Sequence, residues 1–152
     1  MRTARTALGA LAFAALLAAG TTALAETVAY KAVLDGKHEV PPNDTKGTGS
    51  VHAKYDTATM KLSYSVKYSG LSGAATAAHF HGPAKPGDNA GPIITLAAPL
   101  ASPIKGEETL TKEQADELAN GLWYLNVHTA AHPPGEIRGQ LVKAAAKAAK
   151  KK

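Results

Sequence analysis

The sequence predicts an all-β domain, an antiparallel Greek-key β-sandwich of seven or eight strands with one short helix. Three observations lead there. Apolar and polar residues alternate with period two in several short runs, the pattern of half-buried strands. Clusters of Gly, Pro, Asn and Asp break the chain roughly every ten residues. In the body of the chain one place carries a helix start, Thr111-Lys112-Glu113-Gln114, a capping box with Thr at the N-cap and Gln at N3.

The elements follow in order. Residues 28–34 read as a first strand, closed by Asp35-Gly36 and the loop Val40-Pro41-Pro42-Asn43-Asp44. Residues 50–55 alternate, Asp56-Thr57-Ala58-Thr59 turns the chain, and residues 60–68 alternate again with Leu62, Tyr64, Val66 and Tyr68 on one side. That is a hairpin. Residues 75–81 form a strand with Ala78 and Phe80 on its apolar face and His79 and His81 on the other. A Gly/Pro-rich loop fills 82–92, a strand follows at 93–96, and a weaker one runs over 104–109. The helix spans 112–120, with Gly121 placed as its C′ residue. Residues 122–128 and 136–142 are the last strands, and Trp123, Leu125 and Val127 read as core.

The chain ends differ from this body. Residues 1–25 read as a secretory signal peptide: a basic start with Arg2 and Arg5, an apolar run over 7–19, and the small-x-small site Ala23-Leu24-Ala25. The apolar run is shorter than the ~20 residues a membrane span needs, so cleavage leaves no transmembrane segment and a periplasmic or secreted protein. Residues 26–142 make one domain, and 143–152 are an Ala/Lys-rich tail. Arg2 and Arg5, with Lys143, Lys147 and Lys150 to Lys152 of the tail, account for the basic balance. The body keeps ten basic residues against twelve acidic ones, which argues against nucleic acid as a partner. The tail lysines suit an anionic envelope surface. The sequence has no cysteine, which excludes thiolate nucleophiles and thiolate metal sites.

What remains for chemistry is histidine. All six histidines lie in the body. His79 and His81 stand at i and i+2, so a strand sends both to one face with about 6.6 Å between their Cα atoms. Two such imidazoles can converge on one metal ion at about 2.0 Å. His128 ends a strand and His132 follows four residues later; His38 sits in a loop beside Glu39. Imidazole ligands suit copper and zinc, with copper(II) first in the affinity order. The competing reading has these histidines bonded to loop carbonyls as structural groups. Glu136 and Arg138 share a face by period two and read as an ion pair or a loop clamp. No nucleophile elbow and no phosphate-binding glycine loop occurs, and no residue is assigned a catalytic or organic-cofactor role.

Three runs carry a family resemblance: Leu34-Asp35-Gly36-Lys37-His38-Glu39-Val40-Pro41-Pro42, Ala77-Ala78-His79-Phe80-His81-Gly82-Pro83, and Tyr124-Leu125-Asn126-Val127-His128-Thr129 with Pro134-Gly135-Glu136-Ile137-Arg138-Gly139-Gln140-Leu141. The chain resembles the CHRD (chordin-type) domain family over about residues 28–142. The resemblance implies a secreted or periplasmic β-rich domain, found in animals within chordin, an extracellular antagonist of growth factors. For bacterial single-domain members it implies no settled activity. His38 and His132 depart from the residues usual in the family. A looser likeness, of architecture only, is to copper–zinc superoxide dismutases, whose disulfide cysteines are missing here.

Three functions stay open in this order. The first is an exported protein binding copper, or zinc, through His79, His81, His128, His132 and His38. The second is a non-enzymatic module that binds an extracytoplasmic protein or polymer. The third is a copper-dependent, dismutase-like enzyme.

Overall fold

Alternation in the strands sets the architecture of the computed structural model, which describes residues 25–145. In chain order the elements are β1 (Thr27–Asp35), a 3-10 turn (Gly36–His38), β2 (Thr48–Asp56), β3 (Lys61–Ser69), β4 (Ala75–His81), β5 (Pro92–Thr95) and β6 (Ile104–Thr109). Then come α1 (Lys112–Ala119), β7 (Tyr124–Thr129), β8 (Ile137–Gln140) and β9 (Val142–Lys143). Eight strands form one continuous antiparallel sheet in the order β5-β4-β7-β8-β1-β2-β3-β6, and the two-residue β9 pairs with β1. Residues 1–24 of the expected signal peptide and residues 146–152 of the tail lie outside the described residues.

The meander β1-β2-β3 follows from local signals. Tyr30, Ala32 and Leu34, then Val51, Ala53 and Tyr55, then Leu62, Tyr64 and Val66 all point to one face and are buried. Asp56 turns the hairpin: its Oδ1 accepts from the amides of Ala58 and Thr59. The weak run at 104–109 is a full edge strand, paired with β3 over six residues.

The sheet curls until its two halves face each other. Tyr64 on β3 and Phe80 on β4 sit on strands five places apart in the sheet, yet their rings meet edge to face at 5.2 Å. They can do so only across a core, which also takes Leu34, Val51, Trp123, Leu125, Val127 and Ile137. Helix α1 closes one end. The capping box is formed, and Gly121, at φ +71°, completes the stop: its amide bonds Leu118 O while that of Leu122 bonds Glu117 O. Leu118 is buried, and Trp123 Nε1 donates to Glu117 Oε2 at 3.1 Å.

Most strand ends fall within two residues of the sequence expectation, and the last expected strand differs most. The run 136–142 is two strands, because Leu141 donates its amide to Trp123 O and the chain then crosses to β1. Regular alternation begins only at Ile137, so Glu136 is released from the face of Arg138. The two make no ion pair. Glu136 is buried, and its two oxygens take four hydrogen bonds, from Thr45 Oγ1, Ser72 N, Ser72 Oγ and Thr129 Oγ1, at 2.6–2.7 Å. Arg138 is the loop clamp. It donates to Asn89 Oδ1 at 2.8 Å and to Asp88 O, and its guanidinium lies 3.4 Å from the ring centre of Tyr124.

Candidate metal centre

The site lies on the other face of β4, β7 and β8, the face turned away from the core. Residues directly opposite in an antiparallel pair share a face. The register sets His79 against Asn126, His81 against Tyr124 and His128 against Ala77. Arg138 on β8 stands against Asn126. Alanine opposite His128 leaves room, and the diagonal to His79 is within reach of a long side chain.

His79 Nδ1 lies 3.0 Å from His128 Nε2, with the ring centres 4.9 Å apart. One nitrogen from each of His79, His81 and His128 lies within 4.8 Å of the other two. Two nitrogens held at about 2.0 Å by one ion, at 90–110°, are roughly 2.8–3.3 Å apart. The first pair already has that spacing; the widest separation in the triad, up to 4.8 Å, has to close by roughly 1.5–2 Å. His128 Nδ1 donates to Pro133 O at 2.8 Å, which leaves its Nε2 a lone pair and fixes the ring, the usual support of a ligating imidazole.

His81 is the buried member of the three. The loop 82–91 covers it. Its Nδ1 lies 3.0 Å from Ala90 O and its Nε2 lies 2.9 Å from Asn126 Oδ1. Its ring stacks parallel on Tyr124 at 4.7 Å, and Tyr124 Oη donates to Ala90 O at 3.1 Å. Burial, then the neighbouring His128 and His81, hold the pKa of His79 below its ordinary 6.5. Burial does the same for His81, against the hydrogen bonds of Ala90 and Asn126. Both imidazoles are therefore neutral at neutral pH, the form that binds a metal.

The structure does not bring all five predicted histidines together. His38 is exposed, with Nδ1 2.7 Å from Asp35 Oδ1. His132 follows a turn on Thr129 and lines a depression with Asp44, Thr45, Lys46, Gly70 and Ser72, on the side of Glu136.

One residue of the site carried no sequence signal of its own. Glu39 is 6 % exposed, and its Oε1 has no hydrogen-bond partner. Burial pushes its pKa up to about 7, against the pull of Arg138, Asn126 and the Val40 amide. It faces Gly135, where a Cβ would stand 2.5 Å from Glu39 Oε1 and 2.6 Å from Asn126 Nδ2; at φ +141° that position calls for glycine in any case. Only membership in the run from Leu34 to Pro42 singled Glu39 out beforehand.

The CHRD domain matches this chain over residues 30–141, which takes in all three histidines and Glu39. The chain belongs to the CHRD domain family. It matches no curated protein and no solved structure. Within this CHRD domain the three matching runs of the sequence converge on one place. The first supplies Glu39, the second His79 and His81, the third Asn126, His128 and Arg138. Among the described residues no helix is long and apolar enough to cross a membrane.

Proposed function

We propose that this CHRD domain is an exported metal-binding protein that takes a transition metal, copper before zinc, through His79, His81 and His128. The supporting observation is the convergence of one nitrogen from each of three imidazoles within 4.8 Å. The all-nitrogen donor set favours copper(II) by the affinity order of the divalent ions. The signal sequence at 1–25 and the extracellular setting of chordin support export. The lysines of the tail are proposed to hold the protein near anionic envelope surfaces.

Binding asks little of the first pair. The hydrogen between His79 Nδ1 and His128 Nε2 moves to His79 Nε2, and both facing nitrogens are then lone pairs. His81 has to give up one of its two hydrogen bonds. A bound ion would supply Lewis acidity and a coordination position open to solvent.

Calorimetry with copper(II) and zinc(II) on the chain lacking residues 1–25 tests this. The expected result is about one copper per chain, lost in His79→Ala/His128→Ala. Equal binding by wild type and double variant would remove the site from consideration.

A second reading rests on the same hydrogen bonds. His81 spans Ala90 O and Asn126, so it also serves to pin the loop 82–91. An interaction module built on that loop would melt earlier in His81→Ala, with no metal effect in the parent protein.

A further inference from the structure

Away from the triad, the outer face of β1, β2, β3 and β6 gathers charge of one sign. The alternation that buries Leu34, Val51 and Val66 turns Lys31, Lys54, Lys61 and Lys67 outward, and the register adds Lys105, opposite Ser65. The body holds more acidic than basic residues, so five lysines on one face are a segregation of charge. Between the strand ends the one carboxylate on that face is Glu107, and Lys61 takes it at 2.6 Å. Asp35 and Asp56 end their strands with an oxygen turned back onto local amides. Lys31, Lys54, Lys67 and Lys105 are exposed and make no ion pair among the described residues. They spread rather than converge. Lys31, His52, Ser65 and Lys105 form one row across four strands, about 14 Å wide by the spacing of neighbouring strands. A row of that width fits an extended anionic partner, not a single phosphate.

Apolar groups on the same face decide which partner. Among the described residues the exposed large apolar side chains are Val33, 70 % exposed, and Val142, 49 %. Val33 stands two residues from Lys31 on β1, and Val142 on β9 stands opposite Lys31, so both share its face. Ala29, Ser50, Ser63 and Ser65 keep the ground between them low. We propose that this face docks on a phospholipid bilayer bearing anionic headgroups, with the lysines on the phosphates and the two valines in the headgroup layer. Lysines beside exposed apolar side chains are the makeup of an interfacial surface, whereas a soluble polyanion would leave the valines in water. The proposal extends the envelope reading of the tail to the folded body and rests on it for the kind of partner. Ala144 N donates to Ala29 O at 2.8 Å, so the last described residues reach the border of this face, and Lys147 and Lys150 to Lys152 follow in sequence. The triad belongs to β4 and β7, across the core from β3, and is turned away from such a bilayer.

Sedimentation with phosphatidylglycerol–phosphatidylcholine vesicles tests this on the chain starting at Glu26, because the apolar run at 7–19 would itself enter lipid. Lys54→Gln/Lys67→Gln is expected to weaken binding by about tenfold or more, since one lysine near an anionic surface is worth about fivefold. Lys37→Gln/Lys85→Gln removes the same charge elsewhere on the body and should change binding by less than about threefold. Val33→Ser/Val142→Ser should weaken it by about threefold or more and leave its salt dependence unchanged. All these residues are exposed, so the fold is kept. Equal losses from the two lysine pairs would overturn the proposal, because net charge alone would then act. So would binding to polyglutamate as tight as to vesicles and indifferent to the valine change, which would make the partner a soluble polyanion. Gln at 147 and 150–152 separates the two readings. Binding lost there and untouched by Lys54→Gln/Lys67→Gln would sink the docking face and keep the tail; the reverse pattern would sink the tail and keep the face.

Discussion

His79 Nδ1 and His128 Nε2 face each other at 3.0 Å across two strands whose contact residues lie 49 positions apart in the chain. The spacing is that of a hydrogen bond from His79 Nδ1 to His128 Nε2, and it also fits two ligands on one ion; His128 is turned into place by its bond to Pro133 O.

Copper(II) binding should therefore weaken in acid. The pKa of His79 and of His81 lies below 6.5 in the folded protein, so these ligands stay neutral to a lower pH than exposed histidines do. Affinity is expected to hold from neutral pH down to about 6 and to fall below it as protons compete. Calorimetry across pH 5 to 8 checks this; a flat profile would show ligands other than imidazole.

Glu136 is expected to dominate acid stability. Burial alone would raise its pKa, but the hydrogen bonds of Ser72, Thr129 and Thr45 outweigh it and bring it to about 2. A depressed carboxylate adds stability above its unfolded value of 4.5, and that stability is lost as pH falls toward 2. Glu136→Gln, which loses one acceptor among four donors, should cost about 2–4 kcal/mol by denaturant unfolding at pH 7. It should also flatten the acid limb. A loss under about 0.5 kcal/mol would show that the cluster adds nothing net.

Glu39 should act with the opposite sign. Its folded value of about 7 exceeds the ordinary 4.5, so the folded protein keeps a proton that the unfolded chain has released. Its contribution is complete below pH 4.5 and is lost as pH rises toward 7. Glu39→Gln lacks this slope. The variant is expected to gain on wild type over that interval, by at most about 3 kcal/mol, with a constant difference above it. A difference independent of pH would place the carboxyl in solvent.

Arg138 is expected to serve structure. Its guanidinium is occupied by Asn89, Asp88 and the Tyr124 ring. Arg138→Ala should cost roughly 1–3 kcal/mol and speed amide exchange over residues 88–90. Superoxide turnover by the copper-loaded protein should match that of free buffer in both forms. A fast, salt-sensitive rate that collapses in the variant would bring the dismutase-like reading forward.

Much of the fold was legible because its signals are local. Alternation in residues 28–34, 50–55 and 60–68 gives the three-stranded meander. The capping box and Gly121 bound the helix to within one residue. The face shared by His79 and His81 needs only the pleat. The Glu136 expectation failed for a local reason too: period two holds inside a strand, and Glu136 lies one residue before β8.

By itself the sequence determined the class of the fold, the position of its strands and the pairing of His79 with His81 on one face, since each depends on neighbours a few residues away. Only the tertiary structure decided which other groups join them. His128 entered and His132 did not, though four residues separate them, because the chain turns between them at Thr129 and leaves His132 lining the depression with Asp44, Thr45 and Ser72. Glu39 entered from a loop 87 residues before Asn126. Such meetings depend on the register of β4, β7 and β8 and on where the loop 82–91 settles. Those are long-range contacts, set by the packing of the whole sheet, and no local pattern encodes them.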